Sequence, residues 1–287
     1  MDEAFTALRL AAPAKLNLSL RVVGRRPDGF HDLDGVMVLL ELADELRLAP
    51  GDEGLLVEPS GSGVPGEPAG NLAWRGLAAA MGNTPRRSLS LTKHIPVAAG
   101  LGGGSSDAAA GWRLGRRSAG APERPTAAEL TELAGIGADV PFFAAQTTVA
   151  RVTGIGELVE PVVLPPGTHT EVVLAVAPFP LSTGAVFAEL READWGGDEP
   201  AGNDLLAPAR RLRPEIDDLV RLMLVAAGTE PHMSGSGPTL FALLDDAERA
   251  DAVASRLRRD GVSTLRTRLR KEPASIETVA VSMKVHQ

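Results

Sequence analysis

A glycine-rich segment in the first half of the chain carries the strongest sign of chemistry. This glycine loop, residues 96–107, reads PVAAGLGGGSSD and lies between an apolar predicted strand and an alanine-rich predicted helix. Glycine tolerates positive φ and lets the backbone come close to a ligand. The first N–H groups of a following helix are unpaired and, together with the helix dipole, attract anions. The segment therefore predicts a phosphate-binding loop, in which Ser105, Ser106 and Asp107 cap the helix and the two hydroxyls suit phosphate oxygens or a hydrated cation.

Two further charged residues are candidates for catalysis. Asp139 interrupts the apolar run ADVPFF at residues 138–143, where burying a carboxylate without a task would be costly. A helix cap or a structural salt bridge would also explain this aspartate. Lys15 and Asn17 alternate with leucines along a predicted strand, which places both polar side chains on one face, away from the core. A solvated lysine on an edge strand is the other interpretation of Lys15.

The bulk composition excludes several classes of protein. The 287 residues are 44% hydrophobic and 23% charged, which is typical of a globular protein large enough for two lobes. A net charge of −8 argues against nucleic acid or an anionic membrane as the main partner, because both require basic patches. The lack of cysteine excludes disulfides and thiolate metal sites, and it fits the cytoplasm. We expect neither a signal peptide nor a membrane span.

The order of the predicted elements indicates an α+β fold with two lobes. Strands and helices mix irregularly, without a steady βαβ repeat. Neither the P-loop pattern G-x-x-x-x-G-K-[ST] nor a strand-embedded G-x-G-x-x-G is present, so P-loop and Rossmann folds both fit poorly. We expect a Gly/Pro/Ser-rich loop at 50–70 and a lobe boundary near 155–170.

Hydrophobic periodicity locates the elements that must position these residues. Strands are predicted within 5–23, with a break at 12–13, and at 36–42, 45–48, 89–92, 149–152, 157–163 and 171–177. Two more, at 240–244 and 279–285, are predicted to form a second sheet. Helices are predicted at 71–81, 108–114, 127–133, 182–191, 214–226 and 247–260. Thr126 is the predicted N-cap of the third of these helices.

Three motifs together resemble those of the GHMP kinase superfamily, which includes the galacto-, homoserine, mevalonate and phosphomevalonate kinases. They are PAKLNL at 13–18, the glycine loop, and MSGSGPT at 233–239, in that order. Other segments are similar to one branch, whose substrate is 4-diphosphocytidyl-2-C-methyl-D-erythritol. These are GRRPDGFH at 24–31, NL at 71–72, GADVPFF at 137–143, GIGE at 154–157 and NDL at 203–205. The resemblance covers the chain from about residue 10 to residue 245.

The resemblance implies a ribosomal-protein-S5-like lobe at 1–160, which carries the ATP loop, and a ferredoxin-like lobe at 161–287. It also implies ATP-dependent phosphorylation of the 2-hydroxyl of that substrate, with Mg²⁺, in the non-mevalonate isoprenoid pathway. Asp139 would receive the hydroxyl proton, while Lys15 would hold Asp139 ionised and lower the pKa of the hydroxyl. The metal ligands stay open, with Ser106 and Asp107 as nearby candidates.

The resemblance further implies two sets of binding residues. Those for ATP are Asn71, Pro96, Ala98, Ala99, Gly100, Leu101, Gly102, Gly103, Gly104, Ser105, Ser106 and Asp107. Those for the substrate are Asn17, Phe30, His31, Asp139, Thr183, Phe187, Gly235 and Ser236. Phe30 and Phe187 are expected on opposite faces of the cytosine ring, with His31 at its edge. The sequence departs from the family pattern at Phe30, where tyrosine is usual, and at Gly184, where proline is usual.

Two other functions stay open at this point. The first is a GHMP kinase for another alcohol, such as homoserine or a mevalonate derivative, although these substrates carry no base to stack on Phe30. The second is a catalytically silent relative that binds a nucleotide or a sugar, although such a protein has no physical reason to retain Lys15 and Asp139. The expected partners are small molecules, without nucleic acid or membrane, and we expect a monomer or weak homodimer.

Overall fold

The chain folds into two lobes, each built on its own β-sheet, in the α+β arrangement that the sequence predicts. The computed structural model describes residues 5–51, 54–60, 62–82, 87–195 and 202–281. The strands are β1 Phe5–Arg25, β2 His31–Pro50, β3 Gly54–Glu58, β4 Arg87–Thr92, β5 Val149–Gly154, β6 Leu158–Pro161, β7 Glu171–Val176, β8 His232–Met233, β9 Leu240–Leu244, β10 Ser263–Arg268 and β11 Glu277–Val281. The helices are α1 Leu72–Met81, α2 Gly103–Ser118, α3 Ala127–Ala134, α4 Val140–Ala144, α5 Thr183–Ala188, α6 Leu206–Leu212, α7 Glu215–Ala227 and α8 Ala247–Arg259.

The N-terminal lobe is built on a seven-stranded sheet in the order β11-β1-β2-β4-β3, with β5 paired to β2 and β6 paired to β5. Strand β1 is continuous, so the predicted break at 12–13 is wrong. A bulge between Pro13 and Lys15 carries the strand past the proline, which has no N–H to donate to the sheet. Strand β2 is also unbroken where the sequence predicts two strands.

Some element boundaries differ from the expectation for local reasons. The predicted loop at 50–70 contains β3, which pairs in parallel with β4. A parallel pair is not joined by a tight turn, so the sequence shows no hairpin pattern that would reveal this strand. Helix α6 follows Asn203, whose side chain accepts a hydrogen bond from the N–H of Leu205 at 2.9 Å. Helix α3 begins as predicted, because Thr126 and Glu129 form a reciprocal capping box.

Helices α1 and α2 cross in direct backbone contact over the N-terminal sheet. A Cβ added to Gly76 would lie 1.9 Å from the carbonyl oxygen of Ala108, so only glycine fits at this crossing. The apolar face of α1, including Trp74 and Leu77, packs with Leu114 of α2 into the core between these helices and the sheet. This packing fixes the direction of α2, and thereby the position of the glycine loop from which α2 begins.

The C-terminal lobe is built on an antiparallel sheet in the order β10-β7-β9-β8, with α7 and α8 among the helices that share its core. The expectation that the final strand joins this sheet is wrong. Strand β11 instead pairs antiparallel with the first five residues of β1. The free edge of β1 offers unpaired backbone groups, and the chain reaches it after crossing β2, where Arg270 N–H donates to Leu39 at 2.8 Å.

The C-terminal segment consequently contributes to both lobes. Residues 282–285 of the predicted strand lie outside the described residues. The predicted division at 160/161 falls within β6, and it stays a prediction. Within the described ranges, no helix combines the length and the apolar character that crossing a membrane would need.

Candidate active site

A cleft of about 1490 Å³ is lined by residues of both lobes. Its walls include Lys15 of β1, the glycine loop, Asp139 just before α4, and the turn at Gly235. Every residue that the sequence predicts for ATP or substrate lines this cleft except Ser106, which is buried beneath the loop. The fold therefore brings the predicted site together, while the individual binding roles stay predictions.

The glycine loop is held in place from both lobes. Ser234 Oγ donates a hydrogen bond to the carbonyl oxygen of Gly100 at 2.9 Å, and Lys15 N–H donates to that of Leu101 at 3.0 Å. Gly100 has φ +75°, and a Cβ there would lie 2.4 Å from the carbonyl oxygen of Ser234. The loop is thus preorganised, because its backbone is fixed by contacts that a ligand need not supply.

The start of α2 differs from the sequence prediction. The helix begins at Gly103 with Gly102 as its N-cap, and no side chain caps it. Ser105, Ser106 and Asp107 lie inside the helix, so the prediction that they cap it is wrong. Gly102 has φ +70°, and a Cβ there would lie 2.9 Å from the ring of Phe143. Because no side chain caps the helix, its first N–H groups stay available to a phosphate.

The two predicted catalytic residues meet in the cleft. Lys15 Nζ lies 3.5 Å from Asp139 Oδ2 and donates a hydrogen bond to Asn17 Oδ1 at 2.5 Å. The Lys15 side chain is buried, but that of Asp139 is 28% exposed, so the expectation of a buried aspartate is wrong. Asp139 precedes α4 without capping it through its side chain. An ion-paired carboxylate that still faces the cleft is well placed to receive a proton from a bound hydroxyl.

A buried charge cluster behind the glycine loop has no counterpart in the sequence prediction. Lys93 Nζ donates to Asp44 and, at 2.7 Å, to Asp107 Oδ2. Burial raises the pKa of Asp107 to about 7, against the opposing attraction of the Lys93 ammonium. Asp107 Oδ1 and Ser106 Oγ are buried, and among the described residues neither has a hydrogen-bond partner. Residues so distant in sequence carry no local signal that they will meet.

The raised pKa of Asp107 gives a prediction about stability. Because the folded-state pKa of Asp107 is about 7, above the usual 3.8, its carboxyl binds a proton more tightly in the folded protein than in the unfolded one. The stability that this proton contributes is therefore fully present below pH 3.8. That contribution is lost as the pH rises through about 7. We therefore expect Asp107→Asn to raise the Tm relative to wild type at pH 8, by about 2–4 °C for each kcal/mol regained, and to raise it much less near pH 3.8, where the carboxyl is largely protonated in the folded protein and half protonated in the unfolded one. Parallel Tm–pH curves would contradict the raised pKa, and Asp218→Asn, at an exposed ion pair, is the matched control.

At the far end of the cleft, an aromatic cluster surrounds His31. Its ring stacks on Phe187 with centroids 5.4 Å apart at 23°, and the ring of Trp195 meets its edge at 5.7 Å and 87°. Burial, followed by the positive charge of Arg25, lowers the pKa of His31. Phe30 is 59% exposed at the rim. The structure thus stacks His31 on Phe187 and leaves Phe30 exposed. The placement of cytosine between Phe30 and Phe187 stays a prediction.

The turn at Gly235 forms the floor between these two ends. Thr183 Oγ1 and Ser236 Oγ share a hydrogen bond of 2.8 Å. Asn203 Nδ2 donates to the carbonyl oxygens of Met233 and Gly235 at 2.7 and 2.8 Å. Asn203 thereby holds the backbone of the turn in shape. The NDL motif at 203–205 identifies this residue in the sequence, but the motif alone does not predict its role in the turn.

Asn71, predicted to contact ATP, is committed to the protein backbone. Its Oδ1 accepts hydrogen bonds from the N–H groups of Ala73 and Trp74, and its Nδ2 donates to Pro65 at 2.9 Å. The residue is therefore the N-cap of α1 and the anchor of the preceding loop. Any effect of Asn71 on ATP would act through this wall of the cleft.

Comparison with known proteins identifies the family. The family model described as GHMP kinases N terminal domain matches residues 71–147, and the one described as GHMP kinases C terminal matches residues 186–263. A protein of Paracoccus denitrificans named 4-diphosphocytidyl-2-C-methyl-D-erythritol kinase is 40% identical, over 87% of this chain and 91% of its own length. The chain belongs to the GHMP kinase family.

Two solved structures are similar to this GHMP kinase. The crystal structure of a 4-(cytidine 5'-diphospho)-2C-methyl-D-erythritol kinase is 32% identical, with a TM-score of 0.73 over 91% of this chain and 98% of that one. A homoserine kinase of Cytophaga hutchinsonii has a TM-score of 0.64 over 97% of this chain and 99% of its own, but it is 16% identical and so shares the fold alone. The two-lobed architecture and the kinase identity implied by the motifs are confirmed.

Proposed function

We propose that this GHMP kinase transfers the γ-phosphate of ATP to the 2-hydroxyl of 4-diphosphocytidyl-2-C-methyl-D-erythritol. The observation that carries the proposal is the Lys15–Asp139 pair, 3.5 Å apart, in one cleft with a preorganised glycine loop and an aromatic cluster. The proposal includes a monomer or weak homodimer, supported by a cleft that a single chain lines. It also includes a cytoplasmic location, where ATP is available.

The geometry supports an in-line transfer assisted by one base. Asp139 Oδ2 accepts the proton of the 2-hydroxyl, whose oxygen bonds to the γ-phosphorus as the bond to the bridging oxygen breaks and ADP leaves. The buried ammonium of Lys15 lies next to the developing negative charge and is held there by Asn17. Charge stabilisation of this kind is strong in a site where water is scarce.

The residues around the start of α2 fit a Mg²⁺ ion bound together with the triphosphate. Ser106 Oγ and Asp107 Oδ1 are oxygen atoms, the ligand type that Mg²⁺ prefers, and neither has a partner among the described residues. Bound there, the ion would neutralise charge on the phosphates. The backbone N–H groups at Gly103 and Gly104 would orient the same phosphates from the helix side.

The aromatic cluster supports a cytidine-containing substrate. Neither homoserine nor mevalonate has a ring for Phe187 to stack on, whereas a base stacked on an aromatic side chain gains about 1–3 kcal/mol. We expect His31→Ala to raise the KM for the cytidylated substrate by roughly 5- to 100-fold and to leave the KM for ATP unchanged. Steady-state kinetics with each substrate varied in turn measures both, and equal effects on the two KM values would refute a role at the base. His169→Ala, at an exposed histidine, is the matched control.

An ADP-release assay with ATP and Mg²⁺ tests the proposal against its alternatives. The acceptors are 4-diphosphocytidyl-2-C-methyl-D-erythritol, homoserine and mevalonate, each tested with wild type and with Asp139→Asn. We expect turnover only with the cytidylated acceptor and only with wild type. Turnover on another alcohol would replace the proposed substrate, and no turnover on any would favour a silent binding protein.

A further inference from the structure

A small cavity of about 190 Å³ lies behind His31, at the end of the aromatic cluster. Trp195 and Glu192 line it on the side away from the main cleft, and Arg25 and Phe187 line both spaces. The indole Nε1 of Trp195 is buried, and no described residue accepts a hydrogen bond from it. A buried donor without a partner costs free energy, so it calls for an explanation.

The position of His31 conflicts with base stacking on Phe187. The two rings are stacked with their centroids 5.4 Å apart, which leaves no room for a third ring between them. A cytosine that stacks on the face of Phe187 that His31 covers must therefore displace the imidazole. The cavity on the other side of His31 can receive it, since its volume is several times the roughly 30 Å³ that a water molecule occupies in the liquid.

We propose that Trp195 is the positioning residue for His31: as the base stacks on Phe187, the imidazole moves into the cavity and accepts a hydrogen bond from the indole N–H. A neutral imidazole has one acceptor and one donor nitrogen, and indole is a donor only. The hydrogen bond fixes which nitrogen of His31 carries the proton, and the remaining N–H then faces the base. The lowered pKa of His31 supports this, because it favours the neutral ring.

This arrangement selects cytosine over uracil. Cytosine presents an acceptor, N3, to an N–H donor, whereas uracil presents an N–H at the same position, and two donors cannot pair. A site that leaves a buried donor unpaired rejects the wrong ligand more strongly than one that merely fits its shape. Trp195 would thus determine base specificity without touching the base itself.

The turn that precedes Trp195 is anchored to α6 by Arg211. Trp195 follows a short 3₁₀ turn, Glu192–Asp194, and Arg211 Nη2 donates to Asp194 Oδ2 at 2.6 Å. Arg211 Nε also donates to Glu189 Oε1 at 2.8 Å. Arg211 therefore ties both sides of the turn to α6, and the indole keeps its place while His31 moves.

The inference rests on the proposed cytidine site, and binding of CDP and UDP measured by calorimetry tests both. Trp195→Phe keeps an aromatic ring and removes the N–H. We expect wild type to prefer CDP, and Trp195→Phe to weaken CDP binding by about 3- to 10-fold and to bring the CDP/UDP ratio towards one. In the double variant with His31→Ala, Trp195→Phe should cause no further loss.

The outcomes separate the two claims. A wild type that prefers CDP, with the same ratio in Trp195→Phe, would overturn the role of Trp195 and leave the proposed function standing. A wild type without preference for CDP would overturn both. An independent readout is the indole N–H signal in a ¹⁵N–¹H NMR spectrum, where the chain has three tryptophans and Trp195→Phe identifies one of them. We expect this signal to move downfield when CDP is added to wild type, and a signal that stays in place would contradict the proposed hydrogen bond.

Discussion

Asp139→Asn is expected to lower kcat by about 10²–10⁴-fold, the usual contribution of a general base, with little change in the KM for ATP or for the acceptor. Asparagine has nearly the same shape, but its amide cannot accept the hydroxyl proton at neutral pH. The substitution removes the ionic partner of the buried Lys15 ammonium, but Lys15 keeps its hydrogen bond to Asn17 and Asp139 itself is partly exposed, so the fold should tolerate it. Steady-state kinetics and a Tm measurement separate the two effects.

The control for this variant is Asp260→Asn, a surface aspartate at the end of α8. It should keep the kcat and Tm of wild type. If Asp139→Asn turned over at the rate of wild type, the assignment of the base would be wrong. If it instead raised KM with kcat unchanged, Asp139 would bind the acceptor without taking its proton.

Lys15→Met is expected to lower kcat by about 10²–10³-fold, as removal of one group that stabilises transition-state charge usually does. Methionine preserves much of the aliphatic length, so the packing of β1 is largely retained. Lys15 Nζ lies so close to the turn that a Cβ added to Gly235 would be 3.0 Å from it. The larger side chain of arginine would therefore not fit at position 15. Loss of the ammonium also leaves Asn17 Oδ1 without its donor, which should cost about 1–3 kcal/mol of stability.

The double variant tells whether Lys15 and Asp139 act as a unit. If the lysine works by organising the carboxylate and the hydroxyl, Lys15→Met combined with Asp139→Asn should be only slightly slower than the worse single variant. Additive losses would mean that Lys15 acts on the phosphates independently of Asp139. Pre-steady-state kinetics is the appropriate measurement, because it isolates the transfer step from ADP release.

Much of the site could be predicted from sequence because its parts are local. The positive-φ glycines and the helix that follows them are contiguous, and the period of β1 places Lys15 and Asn17 on one face. That Asp139 meets Lys15 is a tertiary contact across 124 positions of sequence, and the motif resemblance, not the spacing, predicts it.

Other features could not be predicted because several local choices are equally good. Ser, Ser and Asp after glycines favour a helix cap, yet the tight packing of α1 on α2 starts the helix at Gly103. The final strand could pair with either sheet edge, and only the three-dimensional arrangement selects β1. The Asp44–Lys93–Asp107 cluster brings together residues from β2, from just after β4 and from α2. Considered alone in the sequence, each of these charged residues would be expected at the solvent-exposed surface.

The most direct test of the central claim is ³¹P NMR of the product that wild type forms from ATP, Mg²⁺ and 4-diphosphocytidyl-2-C-methyl-D-erythritol. We expect one new phosphomonoester signal on the 2-hydroxyl, appearing in step with ADP, while the diphosphate signals of the acceptor persist. ADP with inorganic phosphate alone, or a phosphate on a different hydroxyl, would contradict the account.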